Sequence, residues 1–216
     1  MFEEIEQAKK HSKTFAVLGA FVLVITVIGV AVAAYTWTFT GGKNTIATGT
    51  ISMSLLESND TIAIENALPM SDAQGKALSA TGEKFDFAVT TNATGAPGNI
   101  TYSISVSKVA VDTGYTALQD NQVKLYLVAL DGTDEIQVVA PKLMSTIITS
   151  GSSGTLTFDS GKTSYLTHAH TTANKSITQK YRLRMWIDSS VDASSWTNAT
   201  KYQYKIKIST SGSLSA

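Results

Sequence analysis

The residues of this chain with the clearest potential for metal chemistry are His168 and His170, which a single alanine separates. Alternate residues of a strand face the same side, so both imidazoles could reach one metal ion. A zinc site needs a third protein ligand, and none stands out nearby in the sequence. The chain also lacks cysteine, a His-Glu-x-x-His motif and a Gly-x-Ser-x-Gly motif. We therefore expect no enzyme activity, metal or cofactor.

Two interpretations of this histidine pair compete. The first takes both as solvated side chains in a loop rich in Thr and Ser, and we prefer it. The second is a hydrolase or metal-dependent enzyme that uses His168 and His170, and it predicts bound metal in the purified extracytoplasmic domain.

Arg182, Arg184 and Trp186 alternate along a long strand pattern from Ile177 to Ile187, so they share one strand face. Guanidinium groups beside an indole ring could bind a carboxylate or stack on a sugar. The same residues also fit an ordinary solvated strand face. The sequence leaves both interpretations open.

Sites for glycan attachment are a further possibility, because Asn-x-Ser/Thr sequons recur in predicted turns and at strand ends. The chain contains five of them, at Asn59, Asn92, Asn99, Asn174 and Asn198. Whether any of them carries a glycan depends on the organism.

The elements that would position these side chains are strands. Apolar and polar residues alternate repeatedly beyond residue 40, as in Ile100–Val106 and Tyr202–Ile208, and predict roughly nine strands. Each strand has one apolar face, which only a second sheet can bury. We predict an all-β, antiparallel β-sandwich of jelly-roll or Greek-key type, in which only 113–119 and 143–149 leave room for short helical turns. Lys205 and Lys207 would protect an exposed edge strand.

One apolar run, Phe15 to Tyr35, is long enough to cross a bilayer, and lysines precede it. We predict a cytoplasmic segment 1–14, a hydrophobic helix 15–35, a stalk 36–44 and an extracytoplasmic β-sandwich domain 45–216. The helix is a permanent anchor or a signal peptide. Small residues at the end of the run form a candidate cleavage region, namely Ala31, Ala33 and Ala34.

The charge is balanced, with 17 Lys+Arg against 17 Asp+Glu, so no basic field would attract nucleic acid. The expected partners are the membrane, through residues 15–35, and further copies of the chain. A surface protein or a glycan is a possible partner.

The layout from residue 28 to about 106 resembles the TasA/camelysin family of exported surface and biofilm-fibre proteins. The matching stretches are Ile46–Met53 after a small-residue junction and Phe85–Val89 in the next strand, and Tyr181–Asp188 is similar to a strand of related exported proteins. The resemblance implies a jelly-roll domain that polymerises by donor-strand exchange. The candidate donor strand contains Asn44, Ile46, Thr48, Thr50, Ile51 and Met53.

Two functional hypotheses follow. The first is a non-enzymatic, exported cell-surface protein that forms a fibre or extracellular matrix by β-strand complementation. The second is a membrane-anchored module that recognises a protein or glycan partner. The first needs cleavage near residues 31–44, whereas the second needs an uncleaved chain.

Overall fold

The computed structural model describes residues 36–40, 44–48, 51–57, 61–65, 67–80, 83–93, 98–171, 175–194, 196 and 201–215. The chain divides into two compact units, residues 1–36 and 37–216, and the elements below lie in the second apart from Thr36. The apolar run lies outside the described residues, as do Ala31, Ala33, Ala34, Thr50, Asn59, Asn174 and Asn198. No helix in the described part of the chain is both long and apolar enough to span a bilayer.

Strands dominate the described residues. The first seven strands are β1 Thr36–Thr40, β2 Asn44–Thr48, β3 Ile51–Glu57, β4 Ile62–Glu65, β5 Lys84–Ala93, β6 Gly98–Val109 and β7 Tyr115–Ala117. The others are β8 Val123–Asp131, β9 Asp134–Leu143, β10 Ser153–Thr155, β11 Thr167–His170, β12 Lys175–Ile187 and β13 Lys201–Ser215. Two short helices interrupt them, α1 Asp72–Lys76 and α2 Met144–Ile147, and a 3-10 turn covers Thr163–Leu166.

The strands form two mostly antiparallel sheets. The six-stranded sheet has the order β2-β3-β5-β12-β8-β9. The seven-stranded sheet is built on the long antiparallel pair β6 and β13. Strands β1, β4 and β7 pair with β13, whereas β10 and β11 pair with β6. Only β7 runs parallel to its partner among the paired strands whose register is described. This architecture confirms an all-β fold.

The core lies between the two sheets and follows the predicted alternation. On β6 the residues at positions 100, 102, 104 and 106 are buried, and on β12 those at 181, 183, 185 and 187 are buried. The hydroxyl groups of Tyr102 and Tyr181 lie 2.7 Å apart and join the two sheets across the core. Burial of both inner faces makes the pair of sheets a β-sandwich.

Several sequence-based predictions about single elements need correction. Of the two stretches that leave room for helical turns, 143–149 contains α2, whereas 113–119 forms a turn and the short strand β7. Helix α1 and the 3-10 turn lie outside both stretches, so the expectation that helical turns are confined to them is wrong. The role of Lys205 and Lys207 as edge protection is wrong. Strand β13 pairs on both sides, with β6 and with β4, so it is not an edge strand.

Helix α1 was not predicted, although its start carries a local signal. Ser71 accepts a hydrogen bond from the backbone N–H of Gln74, and the Gln74 side chain accepts one from the N–H of Ser71. This reciprocal pair is a capping box, which satisfies two backbone donors at a helix start. Gly75 of α1 lies against the Trp186 indole, so a Cβ at this position would overlap the ring. The helix therefore covers part of the outer face of the six-stranded sheet.

Candidate functional site

The predicted binding face of β12 is covered rather than open. Arg182, Arg184 and Trp186 do lie on the same side of the strand, as the alternation indicates. However, Arg184 is 4% exposed and Trp186 is fully buried. The guanidinium of Arg184 donates from Nε to the carbonyl oxygen of Leu78, in the segment that follows α1. The interpretation of a solvated or ligand-binding face is therefore wrong for Arg184 and Trp186, because a segment distant in sequence covers them.

The two arginines are also fully engaged with carboxylates. Arg182 donates to both oxygens of Asp86 at 2.7 Å and to Glu135 at 2.6 Å. Arg184 donates two hydrogen bonds of 2.8 Å to Glu135. Hydrogen bonds from Arg184, reinforced by Arg182, lower the pKa of Glu135 to about 2 despite partial burial. These groups form an ion-pair network across β5, β12 and β9, with both guanidinium groups already occupied by protein carboxylates.

The two histidines are buried rather than solvated, which corrects our preferred interpretation. His168 is 5% exposed and His170 is 2% exposed, because both face inward from β11. The hydroxyl oxygen of Thr91 lies 2.7 Å from Nδ1 of His168 and 2.9 Å from Nε2 of His170. Burial, with a smaller contribution from His170, lowers the pKa of His168 to about 4. His168 is therefore neutral near pH 7.

A chain of hydroxyl groups continues from this pair into the core. The Tyr102 hydroxyl lies 3.4 Å from Nε2 of His168 and 2.7 Å from the Tyr181 hydroxyl. Both tyrosines can donate to the carbonyl oxygen of Tyr165, at 2.9 Å and 2.6 Å. The desolvation of each phenol raises the pKa values of Tyr102 and Tyr181. His168, Tyr102 and Tyr181 are thus uncharged near neutral pH, and their contacts tie β11 and the 3-10 turn to both sheets.

Metal binding at this cluster has no geometric support among the described residues. No group of three or more His, Asp or Glu side chains within them is placed to hold a metal ion. Thr91 and Tyr102 are partners of the histidines that the sequence alone did not indicate, and Tyr181 is the next hydroxyl group beyond Tyr102. The available signal was the alternation that turns all three inward.

The candidate donor segment is a hairpin in the structure. Asn44, Ile46 and Thr48 lie in β2, and Ile51 and Met53 lie in β3. The two strands pair in antiparallel register from Asn44 opposite Leu55 to Thr48 opposite Ile51, and β3 pairs with β5 on its other side. The prediction of one continuous strand from Asn44 to Met53 is therefore wrong for the folded chain.

The two edges of the six-stranded sheet differ in chemistry. At one edge, β9 carries Asp134, Glu135 and Pro141, and its pairing with β8 is irregular between Leu125 and Val128. Charges, proline and irregular pairing all discourage the addition of another strand. At the other edge, β2 has the sequence NTIAT, without charge or proline. The unprotected edge of this sheet is therefore the one at β2.

Two sequons lie within the described strands. Asn92 is half-buried near the end of β5, and Asn99 is exposed near the start of β6. Both positions are at strand ends, as the sequence predicted.

Comparison with known proteins gives no family assignment. No protein-family model matches the chain, and no curated protein matches it. Solved structures with some similarity include the enzymatically active domain of tailspike protein 4 from bacteriophage CBA120, at 9% identity and a TM-score of 0.24. That match covers 83% of this chain but only 18% of the tailspike chain.

Two smaller proteins are also similar. TmCBM61, solved with β-1,4-galactotriose, matches at 8% identity and a TM-score of 0.22 over 72% of this chain and 86% of its own. CBM32-3 from a family 31 glycoside hydrolase of Clostridium perfringens matches at 8% identity and a TM-score of 0.18, over 79% and 86%. Likeness at this level carries no inference about function, which we argue from the geometry of the chain itself.

Proposed function

We propose that this protein is a non-enzymatic structural subunit of an extracytoplasmic fibre or matrix, in which a strand of one copy completes a sheet of the next. The observation that carries the proposal is the edge strand β2. It is uncharged, it lacks proline, and among the described strands it pairs only with β3. Addition of a strand to such an edge supplies affinity through backbone hydrogen bonds.

Exchange of β2 between copies needs only a local opening. Strands β2 and β3 are neighbours along the chain, and exchange of an identical element between copies is a low-cost route to assembly. Opening the hairpin releases the pairing of residues 44–48 with 51–55, while β3 stays paired with β5. The opened segment is then one extended strand from Asn44 onward, which is the donor strand that the sequence suggested.

The balance between closed and exchanged forms depends on concentration. The same pairs of backbone groups form in the closed and in the exchanged form, so the number of backbone hydrogen bonds is nearly the same in both. Within one chain, the hairpin competes at an effective concentration on the order of mM. Copies must therefore be locally concentrated before exchange prevails. Transient anchoring in a membrane by residues 15–35 would supply that concentration, and cleavage near Ala31, Ala33 and Ala34 would then release a jelly-roll subunit.

Engineered disulfides test the proposal, since the natural chain has no cysteine. Thr45 lies opposite Ser54 in the β2–β3 register, within the Cα separation that a disulfide needs. The test variant is full-length Thr45→Cys/Ser54→Cys. The matched control is Thr90→Cys/Thr178→Cys, because these residues face each other in the interior pair β5–β12 with their hydroxyls 2.7 Å apart.

The order of oxidation and assembly distinguishes the outcomes. Oxidation before concentration should lock the test variant as a monomer, while the control variant still assembles. Oxidation after assembly should link test chains into covalent ladders on a denaturing gel, whereas the control forms only internal bonds. Assembly that survives the lock, or internal bonds alone after assembly, would contradict strand exchange. A monomer at all concentrations would favour the alternative function, an anchored module for a protein or glycan partner.

A further inference from the structure

A cavity of about 230 Å³ lies at the start of β5, beside the end of β12. The register of these two strands ends at Lys84 opposite Arg184, and β12 continues past that point with Met185 and Trp186. Strand β4 and the segments on either side of α1 form the other walls. The wall is mostly apolar and includes Ile64, Met70, Leu78, Phe85, Leu183 and Met185.

The volume of the cavity limits the size of a ligand. An apolar cavity of about 150 Å³ can hold benzene, so by the same ratio this cavity holds about nine non-hydrogen atoms. Small-molecule sites are concave and mostly apolar, with a few polar groups that fix the orientation of the ligand. The polar groups on the wall therefore determine which chemical class fits.

Trp186 provides the first of these polar groups. Its side chain is fully buried, and among the described residues its Nε1 has no hydrogen-bond acceptor. An indole N–H can only donate, and a buried donor without a partner costs free energy. Gly75 of α1 lies against carbon atoms of the ring, so the helix holds the indole without accepting its N–H. A ligand that offers an acceptor atom would satisfy this donor.

Lys84 provides the second polar group, and it carries a positive charge. It lies opposite Arg184, where like charges oppose one another. Arg184 is paired with Glu135, whereas Lys84 takes part in none of the ion pairs that the described residues form. Lys84 shares the outer face of the sheet with Arg184 and Trp186, and a diagonal pair such as Lys84 and Trp186 is about 7–8 Å apart. Both donors therefore belong to the same end of the cavity.

The two acidic residues that line the cavity are already engaged by the protein. Glu65 accepts hydrogen bonds from Nε2 of Gln203 at 2.7 Å and from the hydroxyl of Tyr115 at 3.3 Å. Glu83 accepts from the backbone N–H groups of residues 79 and 80 at 3.2 and 2.9 Å. Both glutamates are exposed, so they mark the side of the cavity that is open to solvent. Neither carboxylate is bonded to Lys84 or to the indole of Trp186.

We propose that this cavity binds a small apolar monocarboxylate of about nine non-hydrogen atoms, with its carboxylate at Lys84 and Trp186. A carboxylate only accepts hydrogen bonds, and bonds from an ammonium to a carboxylate are stronger than neutral ones. The apolar wall fits a ring or a short branched chain. A cation would be repelled by Lys84, and a sugar would bury its hydroxyl groups against apolar side chains at a cost in free energy.

The site is independent of the proposed strand exchange and goes beyond it. Strand β3 pairs with β5 only from Phe87 onward, whereas the cavity is lined by β5 at Lys84 and Phe85. Opening of the β2–β3 hairpin therefore leaves the walls of the cavity in place.

The test uses benzoate as the probe and benzamide as its neutral counterpart, since the two have nearly the same shape. Each is titrated into the full-length chain while NMR follows the indole N–H signals. The chain has three tryptophans, and the variants Trp37→Phe and Trp196→Phe assign the signal of Trp186. We expect benzoate to shift the Trp186 signal downfield and to saturate with a Kd on the order of 0.1 mM. Benzamide should bind about tenfold more weakly, because it lacks the charge.

Lysine variants identify the cation that the carboxylate meets. Lys84→Gln should weaken benzoate binding about tenfold and remove the preference over benzamide, whereas Lys84→Arg keeps the charge and should retain that preference. Lys180→Gln is the matched control, because Lys180 is an exposed lysine on the outer face of β12 that does not line the cavity. Its benzoate affinity should equal that of the wild-type chain.

Four results would overturn the proposal. The first is a titration without saturation, and the second is saturation that leaves the Trp186 signal unchanged. The third is equal affinity for benzoate and benzamide, which would assign the cavity to a neutral ligand. The fourth is equal weakening in Lys84→Gln and Lys180→Gln, which would show that only the net charge of the chain matters. None of these readouts depends on assembly, so failure of strand exchange does not alter them.

Discussion

Acidification should destabilise the domain through His168 before it protonates Glu135 or Asp188. The side chain is buried and neutral, and its pKa is lowered to about 4 from an ordinary value of 6.5. The unfolded chain therefore takes up a proton near pH 6.5, whereas the folded chain resists protonation until about pH 4. Stability from this group is complete above pH 6.5 and is lost as the pH falls through that window.

The size of the effect follows from the two pKa values. One pH unit between folded and unfolded values corresponds to about 1.4 kcal/mol, so the loss from pH 6.5 to 4 is about 3 kcal/mol at most. Glu135 and Asp188 have pKa values lowered to about 2, chiefly by hydrogen bonds from Arg184 and Lys124. Their contribution is present above about pH 5 and is lost progressively below it. The two windows therefore overlap only between about pH 5 and pH 4, and above about pH 5 these two carboxylates do not contribute to the loss.

The assay combines urea unfolding at several pH values with proton NMR of the histidine rings. The chain has three histidines, so individual variants assign each ring signal. His168→Gln is the comparison chain, because glutamine keeps hydrogen-bonding capacity without titrating. We expect the wild-type chain to lose about 2–3 kcal/mol more than His168→Gln between pH 6.5 and 4.5.

Two results would refute this reasoning. A His168 ring that titrates near pH 6.5 would show that burial does not oppose its protonation. If the stability of the wild-type chain and that of the His168→Gln chain changed equally with pH, the contacts with Thr91 and Tyr102 would not depend on a neutral His168 ring. Either result would mean that the cluster admits water.

Three further substitutions test how the faces are held. Gly75→Ala should destabilise the domain by about 1–3 kcal/mol in urea unfolding, because the Cβ of the alanine would overlap the Trp186 indole. Unchanged stability and unchanged indole fluorescence would contradict that packing. Glu135→Gln should lower stability at pH 7 by about 1–2 kcal/mol, because it leaves the buried guanidinium of Arg184 without its carboxylate. The difference in stability between the two chains should shrink towards pH 2. A difference in thermal melts that stays constant with pH would count against the ion pair. Tyr181→Phe should lower stability by about 1–2 kcal/mol without changing the fold, because it removes the buried hydroxyl that contacts Tyr102 and the Tyr165 carbonyl. Unchanged urea unfolding would show that these contacts contribute little.

Local periodicity was enough to predict the class of fold. The alternation of Ile100 and Tyr102 with Thr101 and Ser103 identified both faces of β6, because side chains of a strand alternate regardless of the partner strand. The same rule placed Arg184 and Trp186 together. It could not show that they are buried, because α1 and the segment that follows it cover them from a distance of about a hundred positions along the chain.

The histidine pair illustrates the same limit of local reasoning. A segment rich in Thr and Ser is exposed to solvent only when no other strand packs against it. His168 and His170 face Thr91, which is remote in sequence and is brought close by the packing of two sheets. Strand pairing has no local signature of this kind, which also explains why β13 was taken for an edge strand.

The central place of β13 has a consequence for the order in which the domain acquires its structure. Strands β1, β4, β6 and β7 all pair with β13, yet each of them is synthesised before it. Until β13 emerges, these strands lack their common partner and the inner face of β6 lacks its neighbouring strand. Folding of the seven-stranded sheet must therefore follow synthesis, and pairings so distant in sequence form slowly.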